Sequence, residues 1–521
     1  MKNQHLIGLS LAAVLSIAST GCSKDEFLDV NTSPNDPATA APSVVLTNVE
    51  VATGFNMGND VNRAGSILVQ HYAGLGNQVA DFDRYQLLLV GFDDTWNRFY
   101  SSSIFNANQL IRIGDQASSP AYTGIAKLLR AYNYAVVTDL WGDVPYSQAA
   151  LGLDNLAPRF DKQEDIYKGN AGSGITSLFD LVREGLADLD KPSSLTPSRL
   201  DDPIYSGNLT NWKKMGNTLL LKLANTINRR DPALSASVIA EVMAKPAGSI
   251  ITSNAEDFQL PFGSASGNQN PIFTFNFTAR ANDQFLSQRL LDSMRTKNDP
   301  RLPFFFTSTP AVGTTTPSNT TGTLTTLPNP AAAGTFLTFT GYNNGSQAAS
   351  PTDVALRSRP GVYQVGTSGE APIRLITNFQ RAFILAEAAL TTPSIGNAET
   401  LYQEGIRQSM LKAGVTAANV TSYFTANPSV VSLSLLPADR EKSLNKIITQ
   451  KWIAWVGNGY EPYNDYRRTG FPRLVVPQNA GGDDPTKVPA RLPYPTQENS
   501  SNSANAPGNV PTNTPVWWDI D

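Results

Sequence analysis

The sequence predicts a mainly α-helical protein, built from helix–turn–helix units joined by long irregular loops. Three observations carry this. Apolar residues recur at spacings of three and four, and several such runs come in pairs separated by a short turn. A charge-free stretch rich in Thr, Pro, Gly and Asn interrupts them and has no helical period.

The first strong run, residues 93–112, places Trp96, Phe99, Tyr100, Ile104, Ala107, Leu110 and Ile111 on one face. Residues 122–140 continue with Ile125, Leu128, Leu129, Tyr132, Ala135, Val136 and Leu140. That run stops at Trp141-Gly142-Asp143-Val144-Pro145, where glycine can cap a helix and proline cannot continue one. Residues 176–189 and 211–228 are further helices, and residues 232–244 open with Asp231 as N-cap and proline in first position. Later, residues 379–390 lead through Pro393-Ser394-Ile395-Gly396-Asn397 into residues 398–413. Residues 437–441 then open a helix that runs to about Trp455. Helix, short turn, helix, with small residues at the crossings, is the unit of tetratricopeptide (TPR)-like packing. The repeats are degenerate, and no pair carries a full consensus.

The N-terminus reads as a secretory signal over residues 1–21, with Lys2 ahead of an apolar run at 6–18 that is too short to span a bilayer. It ends at Ser19-Thr20-Gly21-Cys22, small residues leading to a cysteine, as lipoprotein processing requires. Cys22 is the single cysteine of the 521 residues, so no internal disulfide is available to it, and lipidation gives the thiol a purpose. Residues 22–42 are polar and proline-rich, suited to a flexible tether, which leaves 43–521 as one large domain. Net charge is −4 and no basic run exceeds two residues, which argues against a nucleic-acid partner.

Residues 302–352 contain no charged side chain and are taken as a neutral loop insertion. Disorder usually brings charge and few aromatics. This loop holds Phe304, Phe305, Phe306, Phe336, Phe339 and Tyr342, so a binding surface is as good a reading as a floppy insertion. Reactive groups are thin: of two histidines, His5 falls in the signal and His71 is alone. No nucleophile elbow, phosphate loop or H-E-x-x-H stands in the chain, so the expectation is a binding protein rather than an enzyme, without cofactor or metal.

Several phrases together resemble the SusD/RagB family of Bacteroidetes outer-membrane lipoproteins. They are Phe27-Leu28-Asp29-Val30-Asn31-Thr32-Ser33-Pro34-Asn35-Asp36-Pro37, Arg130-Ala131-Tyr132, and Thr138 through Tyr146. Asn298-Asp299-Pro300-Arg301-Leu302-Pro303, residues 383–389, Gly459-Tyr460-Glu461 and residues 465–470 complete the set. The resemblance implies about four TPR-like helix pairs with a few short strands. It also implies attachment at the cell exterior and a SusC-like TonB-dependent transporter as partner, the helical side meeting that transporter. The cargo it implies is glycan, or peptide as in RagB-like members. A scaffold for protein partners is the alternative outside transport.

Sugar binding needs flat aromatic faces together with amides or charges for the hydroxyls. Tyr72, Asn77, Asp81, Phe82, Asp83, Arg84 and Tyr85, beside His71 and Gln78, supply that mixture between helices, where the family commonly places ligand contacts. Phe82 and Tyr85 are expected to touch cargo rather than core. Tyr342, with Asn343 and Asn344, is a second candidate. Asp81 and Asp83 at alternate positions are too weak a signal to assign Ca²⁺. Trp141, Asp143 and Arg467 are read as structural: Asp143 fastening the turn before Pro145, and Arg467 pairing with acids and stacking on Tyr463 or Tyr466 at a helix exit.

Overall fold

The computed structural model describes residues 40–309, 323–329, 334–347 and 356–520. Cys22, the signal, most of the tether and the phrase at 27–37 lie outside them. From Pro42 onward the chain forms one compact unit.

Helix α1 (Pro42–Gly58) and α2 (Asp60–Leu68) precede the first periodic run. That run is α3 (Asp93–Arg98) and α4 (Phe105–Gln116), joined through one wide π turn at Phe99–Ile104. Helix α5 (Pro120–Trp141) folds back on α4 and ends at Gly142, whose φ of 87° only glycine adopts without strain. Helix α6 (Leu178–Asp188) crosses α5 where Gly124 meets Gly185. A Cβ on Gly124 would stand 2.7 Å from the Gly185 carbonyl, and one on Gly185 2.9 Å from the Gly124 carbonyl. The approach of these two backbones explains both glycines.

Helix α7 (Leu209–Thr226) pairs with α8 (Pro232–Met243), where Asp231 accepts the Leu234 N–H at 3.0 Å as the N-cap the sequence predicts. Helix α9 (Asn378–Ala389) pairs with α10 (Ala398–Ala413), with Gly405 against the Phe383 ring. Helix α11 (Arg440–Ala454) is followed by α12 (Tyr460–Thr469). With α4–α5 these make four TPR-like pairs, the mainly α architecture expected. Among the described residues the strands are short and form four two-stranded antiparallel sheets. The described part of the neutral stretch is not irregular throughout: Thr323–Pro328 pairs with Phe336–Gly341 in a hairpin.

Buried polar residues tie the helices together, and the family-like phrases supply many of them. Arg301 is fully buried and grips Asp299 through Nε at 2.9 Å, while reaching Ser409 and Gln450. Arg468 spans Glu387 and Asp465, Lys451 also meets Asp465, and Lys222 meets Glu461. Three cations thus face three carboxylates inside the fold, which avoids the cost of an unpaired buried charge.

Asp139, near the end of α5, gathers donors from several distant segments. Its carboxylate accepts from Tyr167 Oη (2.7 Å), Trp518 Nε1 (2.8 Å), Tyr460 Oη (2.7 Å) and Asn464 Nδ2 (2.8 Å), and its carbonyl accepts from Arg467 (2.7 Å). Asp139→Ala leaves four buried donors without their acceptor, an expected loss of about 3–5 kcal/mol. Thermal unfolding followed by tryptophan fluorescence checks this; an unchanged midpoint would show that water or repacking replaces the carboxylate at little cost.

Candidate glycan-binding surface

The strand pair Tyr72–Gly74 and Gln284–Leu286 organises the loop side of the molecule. Asn344 fastens it: its amide donates to the Tyr72 carbonyl (2.8 Å) and to Asp83 (2.6 Å), while Ser287 donates to its oxygen (2.6 Å). The Gly345 N–H donates to the other Asp83 oxygen at 2.6 Å. Four distant segments therefore meet on two side chains.

This arrangement corrects most of the site expected from residues 72–85. Tyr72 is buried, donating to Gln364 (2.6 Å) with its ring edge-on to Phe306. Phe82 is 1% exposed and stacks on Phe92 at 5.3 Å, and Tyr85 is 4% exposed. Both rings are core packing, because Asn77–Asp83 forms a short helix whose apolar side turns inward. Asp83 is held by Asn344, so it does not converge with Asp81, which pairs instead with Arg84 at 2.7 Å on the surface. Tyr342 is 1% exposed against Phe285, and does not face a ligand. His71 is buried with Nε2 2.9 Å from the Trp452 carbonyl, and burial lowers its pKa to about 3, so its ring is neutral. Among the described residues, no group of three or more His, Cys, Asp or Glu is placed to hold a metal.

Of the expected contacts, Asn77, Asp81 and Arg84 keep polar groups at the surface. Asn77 donates to Asp283 (2.9 Å), and Asp283 immediately precedes the second strand. Here the structure adds residues the sequence reading missed. Residues 271–280 carry Phe273, Phe275 and Phe277 at alternate positions, a strand-like pattern, yet they wind into a π turn at Thr274–Ala279. Winding makes Phe273 and Phe277 neighbours, stacked at 5.0 Å and 9° between planes, and both are partly buried against the core. Arg63 lies 3.9 Å over Phe275 and Arg359 lies 3.8 Å over Phe277. Flat rings, planar guanidiniums and the Asn77 amide thus share one surface. At the far end of the same strand, Gln70, Gln288, Asn343 and Gln478 line a polar cleft of about 280 Å³ with Arg289 and Asp292. Two larger clefts, of about 520 Å³ each, open beside the helices. One has an apolar wall of Ile239, Ala240, Leu390 and Leu444, a composition unlike a hydroxyl-rich ligand.

The residues read as structural are buried or bonded within the fold. Trp141 donates to the Pro493 carbonyl (2.8 Å), and Asp143 accepts the Gln163 N–H (2.9 Å) at the start of the next short helix. Arg467 differs from its expected acid pairing. It donates to the carbonyls of Asp139 and Ala490 and lies over Tyr463 (4.1 Å) and Trp518 (4.7 Å).

Burial raises the Asp83 carboxyl from 3.8 to about 7, with the donated hydrogen bonds pulling it partly back. A raised carboxyl favours the fold while protonated. Its contribution is full below about pH 4 and is lost as pH rises through 7, an effect on the order of 4 kcal/mol. Melting midpoints taken from pH 4 to 7 should fall less for Asp83→Asn than for the wild type. Parallel curves would show that Asp83 is ionised throughout.

A family described as "Starch-binding associating with outer membrane" (SusD-like) matches residues 34–495. A SusD homologue from Bacteroides uniformis is 24% identical, covering 93% of this chain and 100% of its own, at TM-score 0.71. A chitin-binding SusD homologue from Flavobacterium johnsoniae is 22% identical, covering 92% and 98%, at TM-score 0.70. A SusD-like protein from Bacteroides thetaiotaomicron is 21% identical, covering 92% and 99%, at TM-score 0.72. A search of curated protein sequences finds no match. With the helix pairs, the loop-side surface and a match over nearly the whole chain, this protein belongs to the SusD-like family.

Proposed function

We propose that this protein captures oligosaccharide at the exterior of the outer membrane, held there by lipid on Cys22, and delivers it to a SusC-like TonB-dependent transporter. The observation that carries the glycan reading is the partly buried Phe273–Phe277 stack with guanidinium and amide groups around it. Aromatic rings pair with the apolar side of a pyranose, and planar polar groups satisfy its hydroxyls. Asn77, Asp81 and Arg84 lie on the same loop side and belong to the proposed contact region. The membrane reading rests on family membership and on the Ser19-Thr20-Gly21-Cys22 phrase. No helix among the described residues is long and apolar enough to cross a membrane, so attachment through lipid is consistent with the fold.

Isothermal titration against a panel of oligosaccharides tests the cargo. The double variant Phe273→Ala, Phe277→Ala should weaken binding by at least about tenfold while retaining the wild-type circular dichroism. Heat from a peptide mixture or a purified protein partner, with none from any glycan, would replace this reading. Attachment is tested by palmitate labelling and detergent extraction. The wild type should take up label and co-purify with a β-barrel transporter, and Cys22→Ala should lose the label; label retained in the variant would place the anchor elsewhere.

A further inference from the structure

Several guanidiniums stand at the aromatic surface, with few carboxylates beside them among the described residues. Arg63 lies over Phe275 and is paired with Asp60 at 2.9 Å. Arg359 lies over Phe277, donates to the Asn276 carbonyl, and leaves its Nε without a hydrogen-bond partner. Arg280 directly follows the π turn, with its N–H donating to the Phe275 carbonyl at 2.8 Å, and its side chain is exposed. Among the described residues, neither Arg280 nor Arg359 is within salt-bridge distance of a carboxylate, whereas Asp60 is engaged by Arg63 and Asp283 by Asn77. The cations also feel one another. Burial and then Arg357 lower the proton affinity of Arg359, and burial lowers that of Arg63 against the pull of Asp60, with Arg98 and Arg280 adding to the lowering. Arg280 and Arg359 thus stand without an ion pair among the described residues of a chain whose net charge is −4.

Resting on the capture reading above, we infer that this surface takes an acidic oligosaccharide, one whose sugars bear a carboxylate or a sulfate. A ring sits on the Phe273–Phe277 stack and its anionic group is met by Arg280 and Arg359. Guanidinium presents paired N–H donors at the spacing of carboxylate or sulfate oxygens, and it is more weakly hydrated than an ammonium, so it gives up water readily on contact. A neutral glycan uses these guanidiniums only as hydrogen-bond donors to its hydroxyls, whereas an anion gains from their charge as well.

The test uses the full chain in detergent and matched ligands that differ only in charge. Galacturonate oligomers are titrated against their methyl esters, which probe a carboxylate, and dextran sulfate against dextran, which probes a sulfate. The charged member of at least one pair should bind at least about tenfold more tightly, by an amount that shrinks as salt is raised. The pair showing the gap identifies the acidic group. Arg280→Gln should close that gap while leaving the uncharged ligand's affinity and the melting midpoint unchanged, because the side chain is exposed and in no salt bridge among the described residues. Equal binding within both pairs, with loss in the Phe273→Ala, Phe277→Ala variant, removes the acidic cargo and leaves glycan capture standing. A gap that survives both Arg280→Gln and Arg359→Gln also overturns the assignment. No binding to any glycan removes both readings, and tighter binding to an oligonucleotide than to either acidic glycan replaces the ligand class.

Discussion

The architecture depends on one buried carboxylate. Asp139 receives hydrogen bonds from a short mid-chain helix, from the last long helix and from the C-terminal tail, while standing on α5 near the centre of the helical side. A charge there, without donors, would be costly to bury. With four neutral donors it becomes a junction that fixes where three otherwise independent segments can lie. Arg467 completes the arrangement by binding the same residue's carbonyl and stacking on Trp518. The helix pairs determine how much apolar surface is buried; Asp139 determines in which relative placement.

The loop side follows the same logic with smaller parts. Asp83 and Asn344 join a helix, a strand pair whose ladder is three residues long, and the segment after the hairpin. A surface made of short elements needs such side-chain fasteners, because the backbone supplies too few hydrogen bonds of its own.

The helical half was legible in the sequence because a 3.6-residue period survives over fifteen or twenty residues, as in α5 and α7. Asp231 was legible as a cap for a local reason, since proline follows it directly. The loop half was not, and the failures share a cause. Asn77–Asp83 is only seven residues long, too short to reveal which side of it Phe82 occupies. Phe273, Phe275 and Phe277 alternate like a strand, and only the wide π turn brings the first and third together. The neutral stretch hid a hairpin because Thr-rich strands lack a strong apolar alternation. Arg359 and Phe277 are far apart in sequence, so their contact exists only after folding.

The Asp139–Trp518 bond closes a contact across 379 residues. Closing a loop of that length costs more chain entropy than closing a local helix pair such as α9–α10, so the Asp139 junction draws on contacts made across the whole domain rather than within one hairpin.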